Sequence, residues 1–153
     1  MPMVERNGVI APFVPGCNLI WKAEKFMPNI LRILFLLCTL GWAGVIFYLS
    51  HLPGVDIPPM YPGEDKLIHA IVFGILGFFA LGAMKDPVGR QRALLPWLAV
   101  ILVIAYGVLD EFHQHFVPGR TPDIHDVMAD AVGGMLGVWL SYRLLKSRLR
   151  YPD

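Results

Sequence analysis

Acidic, histidine and amide side chains are concentrated in one stretch of the chain, from Tyr106 to Gly137. The polar members of this stretch are Asp110, Glu111, His113, Gln114, His115, Arg120, Asp123, His125, Asp126 and Asp130. Only 16% of the whole chain is charged, and the sequence on either side of the stretch is apolar. Carboxylates and imidazoles act as general acids and bases and bind ligands in many proteins. The stretch is therefore the candidate functional site.

Three polar pairs have a spacing of four residues: Asp65 with His69, Asp110 with Gln114, and Asp126 with Asp130. Residues four apart lie on one face of a helix, so each pair can point at the same place between helices. Polar groups at membrane depth face the interior of a bundle, because exposing one charge to lipid costs at least about 2.5–3.5 kcal/mol. We expect Arg120, on the connecting loop, to fold back and bind one carboxylate bidentately.

Several of these residues also have a purely structural interpretation. Asp123 and Asp126 are spaced like a capping box with an acid in place of Glu, and acids suit the N-terminus of a helix. His69 could be a core histidine that donates to a backbone carbonyl. Asp130 lies one turn deeper than a cap requires, and an unpaired carboxylate there would be costly. We expect Asp130 to pair with Arg120 or His69.

The remaining polar residues are expected to be peripheral. Of the adjacent acids Asp110 and Glu111, we expect one to be solvated, and we expect exposed positions for His51, His113, His115 and His125. Ser50 and Ser141 are predicted to lie outside the cluster, which leaves it without a serine nucleophile. Acids and His69 suit a divalent metal ion, but the chain has no compact signature such as H-E-x-x-H. The sequence therefore predicts no metal site.

The elements that position these residues are apolar helices. The chain has 153 residues, of which 56% are hydrophobic, with a mean hydropathy of +0.55, whereas soluble domains are about 45–50% apolar. Apolar segments cover about 33–49, 67–84, 93–109 and 124–142, and about 17–25 residues suffice to span a bilayer. We predict an all-α fold, a transmembrane four-helix bundle over residues 31–145. A loosely ordered tail, 1–30, precedes it and a basic tail, 146–153, follows it.

The distribution of positive charge predicts the orientation of the bundle. Lys and Arg are enriched in both termini and in the middle loop, at Arg6, Lys22, Lys25, Arg32, Lys85, Arg90, Arg92, Arg143, Lys146, Arg148 and Arg150. The other two loops hold only Lys66 and Arg120 of the 13 basic residues. Cytoplasmic loops carry the excess of positive charge, so both termini are predicted to be cytoplasmic. The polar stretch then lies on the extracytoplasmic side.

Other features narrow the class of protein. A net charge of +1 argues against nucleic-acid binding, and the two cysteines, Cys17 and Cys38, form no metal or disulfide pattern. Ala129, Gly133 and Gly137 form a stripe of small residues that favours close helix packing. We expect this stripe to pack against the first or second span, with a dimer face as the other option.

Two separated motifs resemble the VanZ-like membrane proteins. They are D-K-L-I-H-A at 65–70 and L-D-E-F-H-Q-H-F-V-P-G-R-T-P-D-I-H-D-V-M-A-D-A-V-G-G-M-L-G at 109–137. The matching positions are Asp65, Lys66, His69, Asp110, Glu111, Gln114, Gly119, Arg120, Asp126 and Asp130. Asp130 stands where the family often has Asn, so a role that requires a neutral amide does not carry over. The resemblance implies a multi-pass protein of the bacterial plasma membrane, in a family associated with teicoplanin resistance, and it implies no particular reaction or cofactor.

Three functions fit these features. The first is an envelope protein whose outward pocket, with Asp65, His69, Gln114, Arg120 and Asp126, binds a lipid headgroup or cell-wall precursor and thereby affects glycopeptide susceptibility. The second is a membrane-embedded enzyme acting on such a lipid, with Asp110, Glu111 or Asp130 as acid or base. The third is an ion or proton transporter using Asp130 and His69, which is the weakest because the charges lie at one end of the spans. Membrane lipids are the expected partners.

Overall fold

The computed structural model describes the backbone of residues 3–6, 9–12, 17–54, 62–84 and 94–148, and side chains from residue 30 to residue 144 within these ranges. Four helices are present, α1 (Cys17–His51), α2 (Glu64–Met84), α3 (Leu95–Gln114) and α4 (Ile124–Arg148). Two short strands, β1 (Met3–Arg6) and β2 (Val9–Pro12), pair antiparallel. Met1–Leu31 and Arg32–Asp153 are separate compact units. The second unit is all-α, as predicted.

The lengths of the helices agree only partly with the prediction. Regular structure occurs within residues 1–30, where the sequence shows no sustained period and predicts a loose tail. The predicted middle loop, 85–92, lies outside the described residues, as does most of the predicted basic tail, 146–153. Each of the four helices contains most or all of one predicted apolar segment and extends beyond it into polar sequence; α3 begins two residues after the start of its segment.

Three of the described helices are long and apolar enough to cross a membrane: Ile30–His51, Glu64–Met84 and Leu95–Gln114. Helix α4 has 25 residues, which is also sufficient length. It is less apolar than the other three because it carries Asp126 and Asp130 and, in its last turns, Arg143, Lys146 and Arg148.

Local sequence sets the helix ends at the polar side of the bundle. Gly63, with a φ of 84°, turns the chain before α2, and Glu64 and Asp65 fill the first turn of that helix, where acids suit the positive end of its dipole. Asp123 precedes α4, and its carboxylate accepts the backbone N–H of His125 at 2.9 Å. This bond confirms the capping interpretation of Asp123.

Helices α2 and α4 approach each other closely along glycines. A Cβ added at Gly133 or Gly137 would collide with the carbonyl groups of Ala70 and Gly74 in α2, and one at Gly77 would collide with the carbonyl of Gly134. The small-residue stripe of α4 therefore packs inside the chain against α2, which was one of the two predicted options.

Helix α1, from Arg32 onward, joins this core through side chains. The indole N–H of Trp42 donates to the carbonyl of Val72 at 2.9 Å, and the hydroxyl of Tyr106 donates to the carbonyl of Ala43 at 2.7 Å. Ile46 packs with Phe73, Leu76, Ala80 and Val103 in a buried apolar cluster. These contacts place the second half of α1 against the middle of α2 and α3.

Substituting a packed glycine tests the α2–α4 contact. We expect Gly137→Ala to destabilise the protein by about 1–3 kcal/mol, because the added methyl group overpacks a backbone-to-backbone contact. The matched control is Gly41→Ala in α1, where an added Cβ meets no atom within 4 Å; its expected effect is neutral or stabilising by up to about 1 kcal/mol. Thermal unfolding in detergent measures both, and equal midpoints would contradict the close contact.

Candidate functional site

The buried polar side chains gather where α1 and α3 end and where α2 and α4 begin. We use the name polar cluster for Ser50, His69, Asp110, Glu111, Gln114, Asp126 and Asp130. All but His69 are less than 9% exposed, and His69 is partly buried. The structure therefore brings together residues from four helices that lie up to 80 positions apart in the sequence.

Asp130 lies at the centre of the polar cluster. Its residue exposure is 0%, and its Oδ1 lies 3.0 Å from Nδ1 of His69. Gly107 of α3 leaves the space for this carboxylate, since a Cβ there would lie 2.8 Å from Oδ2 of Asp130. Of the two partners predicted for Asp130, the structure has His69.

Asp110 is held by two side-chain hydrogen bonds, one from α1 and one from within its own helix, α3. The hydroxyl of Ser50 donates to Oδ2 of Asp110 at 2.8 Å, and the amide of Gln114 donates to the same oxygen at 3.1 Å. The predicted pairing of Asp110 with Gln114 is confirmed. The placement of Ser50 outside the cluster is wrong, because the end of α1 turns its hydroxyl toward α3.

Glu111 is buried beside Asp110, and each residue is only 5% exposed. The expectation that one of them is solvated is therefore wrong. Oε2 of Glu111 accepts the backbone N–H of Asp123 at 2.9 Å. The bond joins the end of α3 to the start of α4.

Lys66 connects three acids at the edge of the cluster. Its Nζ lies 2.8 Å from Asp65, 3.0 Å from Asp123 and 3.1 Å from Asp126. The side chain of Asp65 is 58% exposed and binds Lys66. The spacing of four residues suggested that Asp65 and His69 point at the same place, and the structure does not show this. The backbone N–H of His125, then the Lys66 ammonium, lower the pKa of Asp123 well below its usual range.

Arg120 binds backbone rather than carboxylates, which corrects the prediction. Its guanidinium donates to the carbonyl of Leu49 at 3.0 Å and to that of Leu52 at 3.2 Å. Arg120 thereby satisfies carbonyl groups at the C-terminal end of α1, where a cation also suits the helix dipole. Gly54 donates its N–H to the carbonyl of Pro118 at 3.1 Å, so the loops after α1 and α3 are joined at two points.

The other histidines lie outside the polar cluster. His51, His115 and His125 are exposed, as predicted, and His113 is partly buried. Nδ1 of His51 lies 3.3 Å from Nε2 of His113, and Phe47 packs against both rings. This pair was not predicted, since its members come from separate helices.

A partly open cavity of about 130 Å³ borders the polar cluster. Its polar lining consists of Ser50, His69, Asp110, Gln114 and Arg120, and its apolar lining of Ile46, Leu49, Ile68, Val72 and Phe73. Four of the predicted site residues, His69, Asp110, Gln114 and Arg120, therefore line one cavity. Glu111, Asp126 and Asp130 lie in the packed cluster beside it.

A sequence model of the VanZ/LLP1 family matches residues 26–146. The chain belongs to the VanZ/LLP1 family. This match covers α2, α3, α4 up to residue 146 and the part of α1 that enters the bundle, and it confirms the resemblance seen in the two motifs. No curated protein and no solved structure matches the chain significantly.

A double-mutant cycle tests which partner stabilises Asp130. We expect His69→Gln and Asp130→Asn to be coupled by about 0.5–3 kcal/mol, because the two side chains are in contact. Arg120→Ala and Asp130→Asn are the control pair, since Arg120 binds the carbonyls of α1, and they should be additive within about 0.5 kcal/mol. Unfolding of the three single and two double variants in detergent measures both couplings. Coupling between Arg120 and Asp130, with none between His69 and Asp130, would contradict the structure.

Proposed function

We propose that this VanZ family protein is a multi-pass protein of the bacterial plasma membrane, with four spans, cytoplasmic termini and an extracytoplasmic polar cluster. The support is the distribution of Lys and Arg along the chain together with three helices long and apolar enough to span. Helix α4 fits as the fourth span because its acids Asp126 and Asp130 are buried, whereas Met128, Val132 and Leu136 are exposed. Its outer surface is thus apolar where lipid would contact it.

We propose further that the cavity beside the polar cluster binds the headgroup of an envelope lipid or of a lipid-linked cell-wall precursor. The observation that carries this proposal is the mixed lining of the cavity. The hydrogen-bonded Ser50, Asp110 and Gln114 supply polar lining, and Ile68, Val72 and Phe73 supply apolar lining.

A ligand with joined polar and apolar parts matches this arrangement, because polar groups fix orientation while apolar lining supplies affinity. A lipid presents both parts at the membrane interface, where the polar cluster lies in the proposed topology. Binding of a lipid-linked precursor would also account for an effect on glycopeptide susceptibility without any reaction in this protein.

Catalysis on such a lipid is the second candidate function. It is favoured by Glu111, whose Oε1 is buried without a hydrogen-bond partner among the described residues. A buried carboxyl group of this kind suits a general acid or base. Arg120 does not support this function as predicted, since its guanidinium is already bound to the carbonyls of Leu49 and Leu52.

Transport is the least supported function. Beyond His69, the buried core of the described residues is apolar, from Phe73 and Leu76 to Leu81, Ala99 and Val138. Ser141 is a buried polar residue further along α4. A conducting path needs polar groups through the membrane, and this core supplies few.

Comparing two buried serines tests lipid binding. We expect Ser50→Ala to lower the amount of lipid that co-purifies with the protein by about tenfold, because the Asp110 carboxylate that lines the cavity loses the hydrogen bond that holds it, a loss of about 1.5 kcal/mol or more. Ser141→Ala is the control, since Ser141 is also buried but lies outside the cavity lining. Native mass spectrometry in detergent measures the bound lipid.

Variants of the cavity residues can also be scored for envelope-drug tolerance in cells that lack the protein. The proposal predicts that Ser50→Ala and Asp110→Asn fail to restore envelope-drug tolerance although their membrane abundance is normal. If both variants retain lipid and restore tolerance, the cavity does not bind a headgroup. Turnover of a supplied lipid by the wild type would favour the enzymatic alternative.

A further inference from the structure

Three potential metal ligands converge within the polar cluster, one from each of α2, α3 and α4. They are His69, Glu111 and Asp126, and one ligand atom from each lies within 4.8 Å of those of the other two. Ligand atoms at about 2.0–2.2 Å from one tetrahedral ion are about 3.3–3.6 Å apart. Side-chain movements of about 1 Å would therefore bring all three atoms onto one ion.

The hydrogen bonding of Glu111 points to a missing partner in this cluster. Glu111 is 5% exposed, and its Oε1 is buried with no partner among the described residues, while Oε2 is satisfied by the backbone of Asp123. An unsatisfied buried carboxylate oxygen costs about 1–3 kcal/mol or more. A cation between Glu111 and its neighbours would satisfy it.

The contact of His69 with Asp130 orients the ring for the same purpose. Nδ1 of His69 lies 3.0 Å from the Asp130 carboxylate, and donating there leaves Nε2 with its lone pair free. Histidines that bind metal ions commonly donate their other ring N–H to a carboxylate, which fixes the ring and its tautomer. Asp130 is thus placed as a positioning residue for a ligand rather than as a ligand itself.

We propose that His69, Glu111 and Asp126 bind one divalent transition-metal ion of the Zn²⁺ or Mn²⁺ type. One nitrogen and two carboxylate groups form a mixed ligand set that suits these ions, and two carboxylates compensate the charge of the ion. These ligands come from three helices, so their spacing in the sequence follows no short metal-binding signature.

Lys66 defines the competing interpretation. Its ammonium lies 3.1 Å from Oδ1 of Asp126, so one cation already lies beside the cluster. A proton on Glu111 would remove the remaining electrostatic repulsion between the acids. In that arrangement the residues only hold the helices together. This competing interpretation predicts no stoichiometric metal, and the two readings therefore differ in a measurable way.

The test uses the full-length protein in detergent, stripped with a chelator and then loaded with Zn²⁺ or Mn²⁺ alone. The proposal predicts about one ion per chain by elemental analysis after removal of free metal. In calorimetric titration, Glu111→Gln should weaken binding at least tenfold. Asp65→Asn is the matched control, because Asp65 is an exposed acid bound to Lys66, and it should bind like the wild type.

Each outcome decides the proposal without reference to lipid. Failure of the loaded wild type to retain either ion would overturn it, and so would a Glu111→Gln variant with unchanged affinity. Should Glu111→Gln fail to fold, Asp126→Asn replaces it, and the wild-type stoichiometry alone still decides. Because the probe is the metal ion alone, the outcome of this test does not depend on whether the cavity binds a lipid headgroup.

Discussion

The contact between Asp130 and His69 is the interaction on which the rest of this structure depends. A carboxylate with no solvent exposure requires a partner inside the bundle. His69 can reach it only because α2 and α4 approach closely along Gly133, and because Gly107 of α3 leaves room for the carboxylate. The glycines and the buried acid therefore form one arrangement, in which close packing creates the polar site.

The loops complete this arrangement at the same end of the bundle. Arg120 binds the carbonyls that end α1, and Asp123 both caps α4 and donates its N–H to Glu111. The consequence is that Asp110 and Glu111 are buried although they lie near the end of α3. Arg120 and Asp123 are loop residues that the sequence suggests are functional. In the structure they serve to enclose the acids.

The sequence predicted the four-helix fold and the end of the bundle that carries the polar residues, because hydrophobic segments and charge spacing are local properties. It also predicted that Asp130 needs a partner. It failed for Arg120 and Ser50, whose contacts depend on how α1 ends beside α3. It failed for Glu111 as well, since burial by a following loop leaves no local pattern. The convergence of His69, Glu111 and Asp126 required the packing of three helices.

The protonation state of the His69 ring tests the central contact most directly. Nitrogen-15 NMR of histidine-labelled protein in lipid, with the signals assigned by a His69→Gln variant, distinguishes the two ring nitrogens. The structure predicts that Nδ1 is protonated in the wild type and donates to Asp130. In Asp130→Asn, we expect that the proton is no longer fixed on this nitrogen. A neutral ring protonated at Nε2, unchanged by Asp130→Asn, would contradict the account.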